Sequence, residues 1–284
     1  MRIAVFSDIH ANRAALEAVL AHSAAVRPDW YVFLGDYVTD CPYPHKTVQL
    51  LREFSRSHRC IFIRGNREDY LLKNRETPQG WTDGSKTGAL KYTYENLTAE
   101  DLDWFASMPI FMRSELPGCE PFALCHGSPE SSNYLFHTDT PEAEQMISRL
   151  GEFGCRVMLC GHSHIPFIFR RGDRMLVNPG ALGMPVNNQN KAQYALLQYN
   201  GEWNAEILSA DYYIEKTAAE FKESGLLEKS GVWGRGLLGT IREGVNYTVL
   251  AVHLVEKLSQ QTGLPVTDET LWKSAAEQLN IPAI

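Results

Sequence analysis

Seven residues of types that hold cations stand where apolar runs of the chain end. Asp8 and His10 close IAVFSDIH, Asp36 closes YVFLGD, Asn66 closes CIFIRGN, His126 closes FALCHG, and His162 and His164 close VMLCGHSH. In an α/β sheet, groups just beyond the carboxyl ends of parallel strands converge on one crevice, so five strand ends predict one site. Two carboxylates, four imidazoles and one amide, with no thiolate obviously among them, make an oxygen and nitrogen set. Such a set suits manganese, iron, zinc or similar divalent ions. Singly, each residue has a plainer reading: Asp8 and Asp36 as strand-end solvation or helix caps, Asn66 as a turn residue. His126 alone would be a hydrogen-bonded histidine, which is how His22, His45, His58, His137 and His253 are read. The GHSH pair is stronger, because two histidines two apart after a glycine cannot both be buried in a regular strand. Cys125 and Cys160, directly before ligand positions, read as small apolar fillers.

The chain's patterning supplies the elements that must bring these residues together. IAVFSD, YVFLGD and CIFIRGN read as strands. Asn12 caps a helix over AALEAVLAHSAAV, with Leu16, Val19 and Leu20 on one face, and a second helix runs through TVQLLREF. That order is a βαβαβ unit with a parallel sheet. After an irregular stretch come a strand at FALCHG, a helix over PEAEQMISRL and a strand at VMLCGHSH. PFIFRRGDRMLVNPG and QYALLQYNGEWNAEIL read as hairpins turned at Arg171 to Asp173 and at Asn200-Gly201. A parallel half joined to an antiparallel half predicts two packed sheets with helices outside.

Two stretches fall outside that core. Residues 74–107 carry TPQGWTDGSKTG and then helical patterns with a capping box at Thr98 to Asp101, and are expected to form a lid. Trp81, Tyr92, Tyr94 and Trp104 there would either stack on a nucleobase, with Lys86 and Lys91 meeting phosphate, or pack the insertion's own core. From about Asp211 the chain reads as helical, with a glycine-rich joint at GVWGRGLLG. We therefore expect a main domain over 1–210 and a helical extension over 211–284, serving as a small cap or as a contact for a homo-oligomer.

Composition narrows the functional classes. The 284 residues are 44% apolar and 21% charged, ordinary for a globular chain long enough to bury a large core. A net charge of −7 argues against binding polymeric nucleic acid, which needs many Lys and Arg on phosphates. The N-terminus lacks the length and flanks of a signal peptide, and no run approaches the roughly 18 apolar residues of a membrane span. Six cysteines without a CxxC pair read as reduced thiols. These features predict a cytoplasmic protein without membrane partners.

Taken in order, SDIH, LGD, RGNRE, CHG and GHSH, with NPG at 178–180, resemble the motif blocks of the calcineurin-like metallophosphoesterase superfamily. The layout resembles its small bacterial phosphodiesterase branch, some members of which cleave dinucleoside polyphosphates. The resemblance implies a four-layer α-β-β-α sandwich of two mixed sheets, with a lid insertion and a C-terminal extension. It implies one cation held by Asp8, His10, Asp36 and His164, and a second held by Asp36, Asn66, His126 and His162, with Asp36 bridging. The two divalent ions would be Mn, Fe, Zn or Ni. It implies hydrolysis of small phosphodiesters or phosphoanhydrides, nucleotides among them, through a hydroxide bridging the two cations. Asn12 and Arg67 are expected to face the substrate.

Two departures from the family pattern shape this expectation. Protein phosphatases of the superfamily carry GD-x-VDRG, whereas this chain has GDYVTDCPYP, which turns the reading toward small substrates. Many active members have histidine after GN, placed to protonate the leaving group, and here that position is Arg67. Arginine does not deprotonate in proteins and cannot be a general acid, but its planar fork binds and polarises phosphate. Loss of that histidine leaves an alternative reading in view: a phosphoesterase-fold scaffold with little catalysis.

Overall fold

A computed structural model of the chain describes every residue except 136, 139, 187–189 and 284. In chain order, β1 (Arg2–Phe6), α1 (Arg13–Ala24), β2 (Trp30–Phe33), α2 (Pro44–Ser57) and β3 (Cys60–Phe62) form the expected βαβαβ unit. Three helices follow: α3 (Asn66–Glu76), α4 (Gly88–Glu95) and α5 (Ala99–Ala106). Then come β4 (Phe111–Ser114), β5 (Phe122–Cys125), α6 (Pro141–Arg149), β6 (Val157–Leu159), β7 (Phe167–Arg171) and β8 (Arg174–Asn178). A long hairpin of β9 (Ala192–Tyr199) and β10 (Trp203–Ala210) leads to α7 (Ile214–Glu223), α8 (Leu226–Glu243), α9 (Tyr247–Thr262) and α10 (Glu269–Gln278).

The strands make two five-stranded sheets, ordered β10-β9-β1-β2-β3 and β4-β5-β6-β8-β7. Both are mixed: β1 pairs parallel with β2 and antiparallel with β9, while β6 pairs parallel with β5 and β8. The sequence suggested one parallel and one antiparallel half. Instead each sheet mixes both: parallel β1, β2 and β3 continue into the antiparallel β9–β10 hairpin, and parallel β5, β6 and β8 are flanked by antiparallel β4 and β7. The period-2 alternation of strands assigns the layers. Ile3 and Val5 face Leu124, Leu159 and Val177 across the inter-sheet core, while Ala4 and Phe6 turn outward to Leu16, Val19 and Leu20 of α1. On the far side, Ala123, Met158 and Leu176 pack on Met146 and Ile147 of α6. The result is the four-layer α-β-β-α sandwich.

Three local findings bear on the sequence reading. The irregular stretch before FALCHG contains β4, paired antiparallel with β5 from Phe111↔Cys125 to Ser114↔Phe122. Its Met112 and Arg113 offer only a weak alternation, so pairing rather than pattern makes the strand. The glycine-rich GVWGRGLLG opens on a joint: at Gly231 (φ 52°, ψ −130°) the chain kinks between the two helical segments of α8, and the rest of the stretch is helical. Gly236 and Gly239 let α9 approach closely at Thr248 and Tyr247. The insertion's capping box forms as expected, with Asp101 N–H donating to Thr98 Oγ1 at 3.2 Å and Thr98 N–H to Asp101 Oδ2 at 2.8 Å.

The extension is spent on contacts within the chain. Ala89 and Tyr92 of α4 share a cluster with Phe221, Leu226, Leu237 and Leu238. Glu269 accepts from both the backbone N–H (2.6 Å) and the hydroxyl (2.8 Å) of Ser85. Ser85 Oγ in turn accepts from Val232 N–H at 2.9 Å, at the break in α8. Insertion and extension therefore form one cap beside the carboxyl ends of β1–β3. Among the described residues no helix is long and apolar enough to cross a membrane.

Candidate metal centre

Buried loops following the strands bring all seven predicted ligand residues to one place. Asp8, His10, Asp36, Asn66 and His126 are each at most 4% exposed. Asp8, His10 and His164 offer ligand atoms within 4.8 Å of one another, and so do Asp36, His126 and His162. The two groups adjoin: Asp36 Oδ2 lies 3.8 Å from His10 Nε2 and 3.4 Å from His126 Nε2. Asn66 Oδ1 is 3.1 Å from the same His126 nitrogen.

Backbone conformation aims these side chains. Asp8 (φ 55°), His10 (φ 49°), Asp36 (φ 54°), His162 (φ 66°) and His164 (φ 58°) all adopt the left-handed region that side chains other than glycine seldom occupy. Loop-to-loop hydrogen bonds hold them there, from His10 N–H to Asp36 O at 2.9 Å and from Gly183 N–H to Asp8 O at 2.9 Å. The glycines of GD and GN permit the approach of β2 and β3. A Cβ on Gly35 would lie 2.3 Å from the Gly65 nitrogen, and one on Gly65 would lie 2.2 Å from Asp36 Oδ1.

A cation fits what these atoms lack. Asp8 Oδ1 is buried without a hydrogen-bond donor. It faces the Nε2 atoms of His164 (3.3 Å), His126 (3.7 Å) and His10 (3.8 Å). His126 Nδ1 meets Leu34 O at 2.8 Å and His164 Nδ1 meets Met184 O at 3.0 Å. A carbonyl only accepts, so each Nδ1 carries a proton and Nε2 is the nitrogen turned inward, the one that loses its proton to a cation when the histidine ligates. Electrostatics agree. Burial alone would raise the Asp8 and Asp36 carboxyls, but His164 and His126 for Asp8, and His126 for Asp36, outweigh it; Asp8 falls well below the usual range and Asp36 to about 2. Burial alone would lower His126, but Asp36 and Asp8 raise it to about 10. Burial and then His126 lower His162 to about 4. Two carboxylates thus stay ionised deep in the protein and draw positive charge to themselves.

Supporting residues that the sequence reading passed over complete the centre. Asp40, 3% exposed, lies 3.2 Å from His10 Nδ1, 3.2 Å from an Arg67 Nη and accepts from Trp233 Nε1 at 3.0 Å. The spacing of two acids in GDYVTD was the available signal. Trp233 offered none, since it arrives from α8. Glu68, in the first turn of α3, is fully buried. Its carboxylate accepts from the backbone N–H groups of Gly65 (2.8 Å), Asp36 (2.9 Å) and Tyr37 (2.9 Å), tying the two glycine loops together. Burial and then Asp36 raise it to about 7.

The two residues expected to face substrate part ways. Arg67 borders the cluster: its N–H donates to Asp36 Oδ1 at 2.9 Å, and its Nε lies 3.8 Å from Asp36 Oδ2. Asn12 does not, and that expectation is corrected. It is fully buried, caps α1 by accepting from Ala15 N–H (3.2 Å), and donates to Gly183 O (2.9 Å) and Tyr212 Oη (3.3 Å). Its Oδ1 also accepts from Thr217 Oγ1 at 3.1 Å, so the whole amide is consumed in joining α1 to α7. The insertion's aromatics are likewise committed to packing. Trp81 meets Tyr94 edge-on at 6.2 Å, Trp104 meets Phe62 at 5.2 Å, and Tyr92 lies in the cluster with α8. Lys91 is paired with Asp83 (3.0 Å) and Glu95 (2.8 Å).

Residues 1–202 match the family model of the calcineurin-like phosphoesterase superfamily domain. An uncharacterized protein of Methanocaldococcus jannaschii is 28% identical over 250 residues, covering 81% of this chain and 95% of that protein. The crystal structure of a metallophosphoesterase from Sphaerobacter thermophilus is 27% identical, with a TM-score of 0.67, covering 86% of this chain and all of that one. A hypothetical protein from Pyrococcus horikoshii shares the fold at 20% identity and a TM-score of 0.71, covering 82% of this chain and 97% of that one.

Proposed function

Because the chain belongs to the calcineurin-like phosphoesterase superfamily, we propose that this cluster is a two-metal centre hydrolysing small phosphodiesters or phosphoanhydrides. The chain is a metal-dependent phosphoesterase, and the geometry supports a division of labour within it. Asp8, His10, Asp36 and His164 would hold one divalent ion, and Asp36, Asn66, His126 and His162 the other. The observation that carries this reading is Asp36 Oδ2, buried between His10 and His126, one from each histidine group. Two divalent ions bound there supply Lewis-acid polarisation of phosphoryl oxygens and a nucleophile drawn from water near neutral pH. The nitrogen and oxygen donors favour Mn, Fe, Zn or Ni over a thiolate-selected metal.

Arg67 sets the preference among substrates. Burial works against its charge, but Asp40 and Asp36 more than restore it, so the guanidinium stays ionised and donates without releasing a proton. It can hold phosphoryl oxygens and stabilise charge that develops on them. A leaving group that departs readily as an anion, such as a phosphate or an aryl oxide, needs no more than that. An alkoxide does. Anhydrides and activated esters, dinucleoside polyphosphates included, therefore fit the site better than alkyl esters.

The test is hydrolysis of bis(p-nitrophenyl) phosphate with added manganese, removal of activity by a chelator, and its return with metal. Asp36→Asn should lose turnover and bound metal together, by more than the roughly 10–100-fold typical of an outer-shell change. Full activity with unchanged metal content in that variant would sink the two-metal assignment. No turnover by the parent with any of the four metals would favour the scaffold reading.

A further inference from the structure

Arg67 and Asp40 also form one wall of a second space, a cavity of ≈ 120 Å³ whose remaining walls come from the cap. Lys86 and Leu90 reach it from the insertion, Trp233 and Trp272 from the extension. Arg67 joins this cavity to the metal cluster, with its Nε 3.8 Å from Asp36 and an Nη 3.2 Å from Asp40. That Nε is buried and has no hydrogen-bond partner, so part of the fork still wants an acceptor. Lys86 is exposed and, among the described residues, makes no ion pair, in contrast to Lys91. The lone carboxylate in the cavity, Asp40, is already engaged by Arg67 and by Trp233 Nε1. Two cations against one committed acid, with indole walls that thin out water, make a place for an anion. The volume is about four times a water's share of the liquid, which suits a single phosphate group.

The geometry points to this cavity as the subsite for a second phosphate of the substrate, next to the phosphorus that is cleaved. The inference rests on reading the adjoining cluster as the phosphoesterase centre. It narrows the substrate class to phosphoanhydrides, such as nucleoside diphosphates and longer polyphosphates, in preference to simple diesters. In the reaction, the oxygen of water bonds to the attacked phosphorus and the bridging P–O bond breaks. The bond's electron pair leaves with the second phosphate, held by Arg67 and Lys86, and the water's proton passes to solvent. A cap built from two separate segments thereby becomes the determinant of specificity.

Two measurements on the full-length protein test this. The first is calorimetric binding of methylenediphosphonate and of methylphosphonate to the manganese-loaded parent, Lys86→Ala and Lys86→Arg. Lys86→Ala should weaken the diphosphonate at least tenfold more than the monophosphonate, and Lys86→Arg should restore most of the loss. The second is steady-state kinetics on adenosine diphosphate and on bis(p-nitrophenyl) phosphate. The loss in kcat/KM for Lys86→Ala should be at least tenfold larger on the diphosphate and should lie in KM. Equal changes for both members of either pair, or no change on the diphosphonate, overturn the subsite. Absence of metal-dependent turnover by the parent, with the binding difference intact, would instead overturn the phosphoesterase reading and leave the anion site standing.

Discussion

Left-handed backbone at Asp8, His10, Asp36, His162 and His164 costs about 1–3 kcal/mol at each non-glycine position and persists only where surroundings over-determine it. The strain buys direction, because each of these side chains leaves its strand end toward the same point. The charge state of that point gives a first prediction. His126 is raised from its ordinary 6.5 to about 10, where Asp36 and Asp8 outweigh the effect of burial. A raised folded-state value contributes stability that is fully present below pH 6.5 and is lost as pH climbs through about 10. In chelator, then, the melting temperature should fall between pH 6.5 and 10 through this group. Metal must displace the same proton, so metal affinity should rise across that window. Melting curves and metal titrations at pH 6 and 9.5 check both signs, and a chelated protein more stable at the higher pH would contradict the account. Arg67 gives the second prediction. Arg67→Ala should slow cleavage of a dinucleoside polyphosphate by about 10²-fold, the scale of losing one donor to developing charge. Arg67→His should also lose on the polyphosphate and gain relatively on an alkyl phosphate ester, because histidine can donate a proton. Parent-like rates for Arg67→Ala on every substrate would reduce Arg67 to a surface residue.

At the scale of elements, the decisive contact is between α8 and the loop after β2. Trp233 reaches from the extension to Asp40, and Asp40 stands behind His10 and Arg67. An outer carboxylate of this kind orients a histidine and raises its basicity, and losing such a partner typically costs 10–100-fold in metal affinity or activity. Trp233→Phe keeps most of the ring and removes only the indole N–H. We expect metal affinity to drop about tenfold while the melting temperature moves little. Metal titration against thermal unfolding separates the two, and an unchanged affinity would leave Trp233 as a wall of the cap and nothing more.

Across the whole molecule, the sandwich and the cap share cores. One cluster combines Ala11 and Cys41 of the site's loops with Ala89 and Tyr92 of the insertion and Phe221, Leu237 and Ile241 of the extension. Trp272, 1% exposed, anchors the adjoining cluster that joins α8, α9 and α10. Its replacement by alanine should cost about 3–5 kcal/mol, the range for emptying a buried large aromatic. Because the clusters interlock, we predict that calorimetry finds a single transition in the parent and that Trp272→Ala shifts all of it downward. A separate low-temperature transition in the variant, with the remainder melting as in the parent, would make the extension an independent unit. Association through the extension stays a proposal, for which exposed Val249 and Leu250 on α9 are the natural contacts.

What the sequence by itself determined is whatever depends on local pattern. Alternating apolar runs placed β1, β2, β3, β5 and β6, turn chemistry placed the two hairpins, and polar residues at strand ends named all seven members of the cluster. Ligand type and position relative to a strand are written in neighbouring letters, and a parallel sheet turns that regularity into convergence. Tertiary structure alone decided the rest. β4 exists because β5 offers it an edge, and Glu68 is buried because three N–H groups from separate loops close on it. Asn12 turned from the substrate to a structural tie because Tyr212 and Thr217, some two hundred residues later, take up its amide. The indole nitrogen of Trp233 brings the extension to Asp40 beside the candidate metal cluster, and no local period signals a contact between positions 40 and 233. Periodicity reports which face of an element is buried, but not which distant element covers it. In this protein that second fact decides which residues stand behind the ligands and what bounds the cavity beside them.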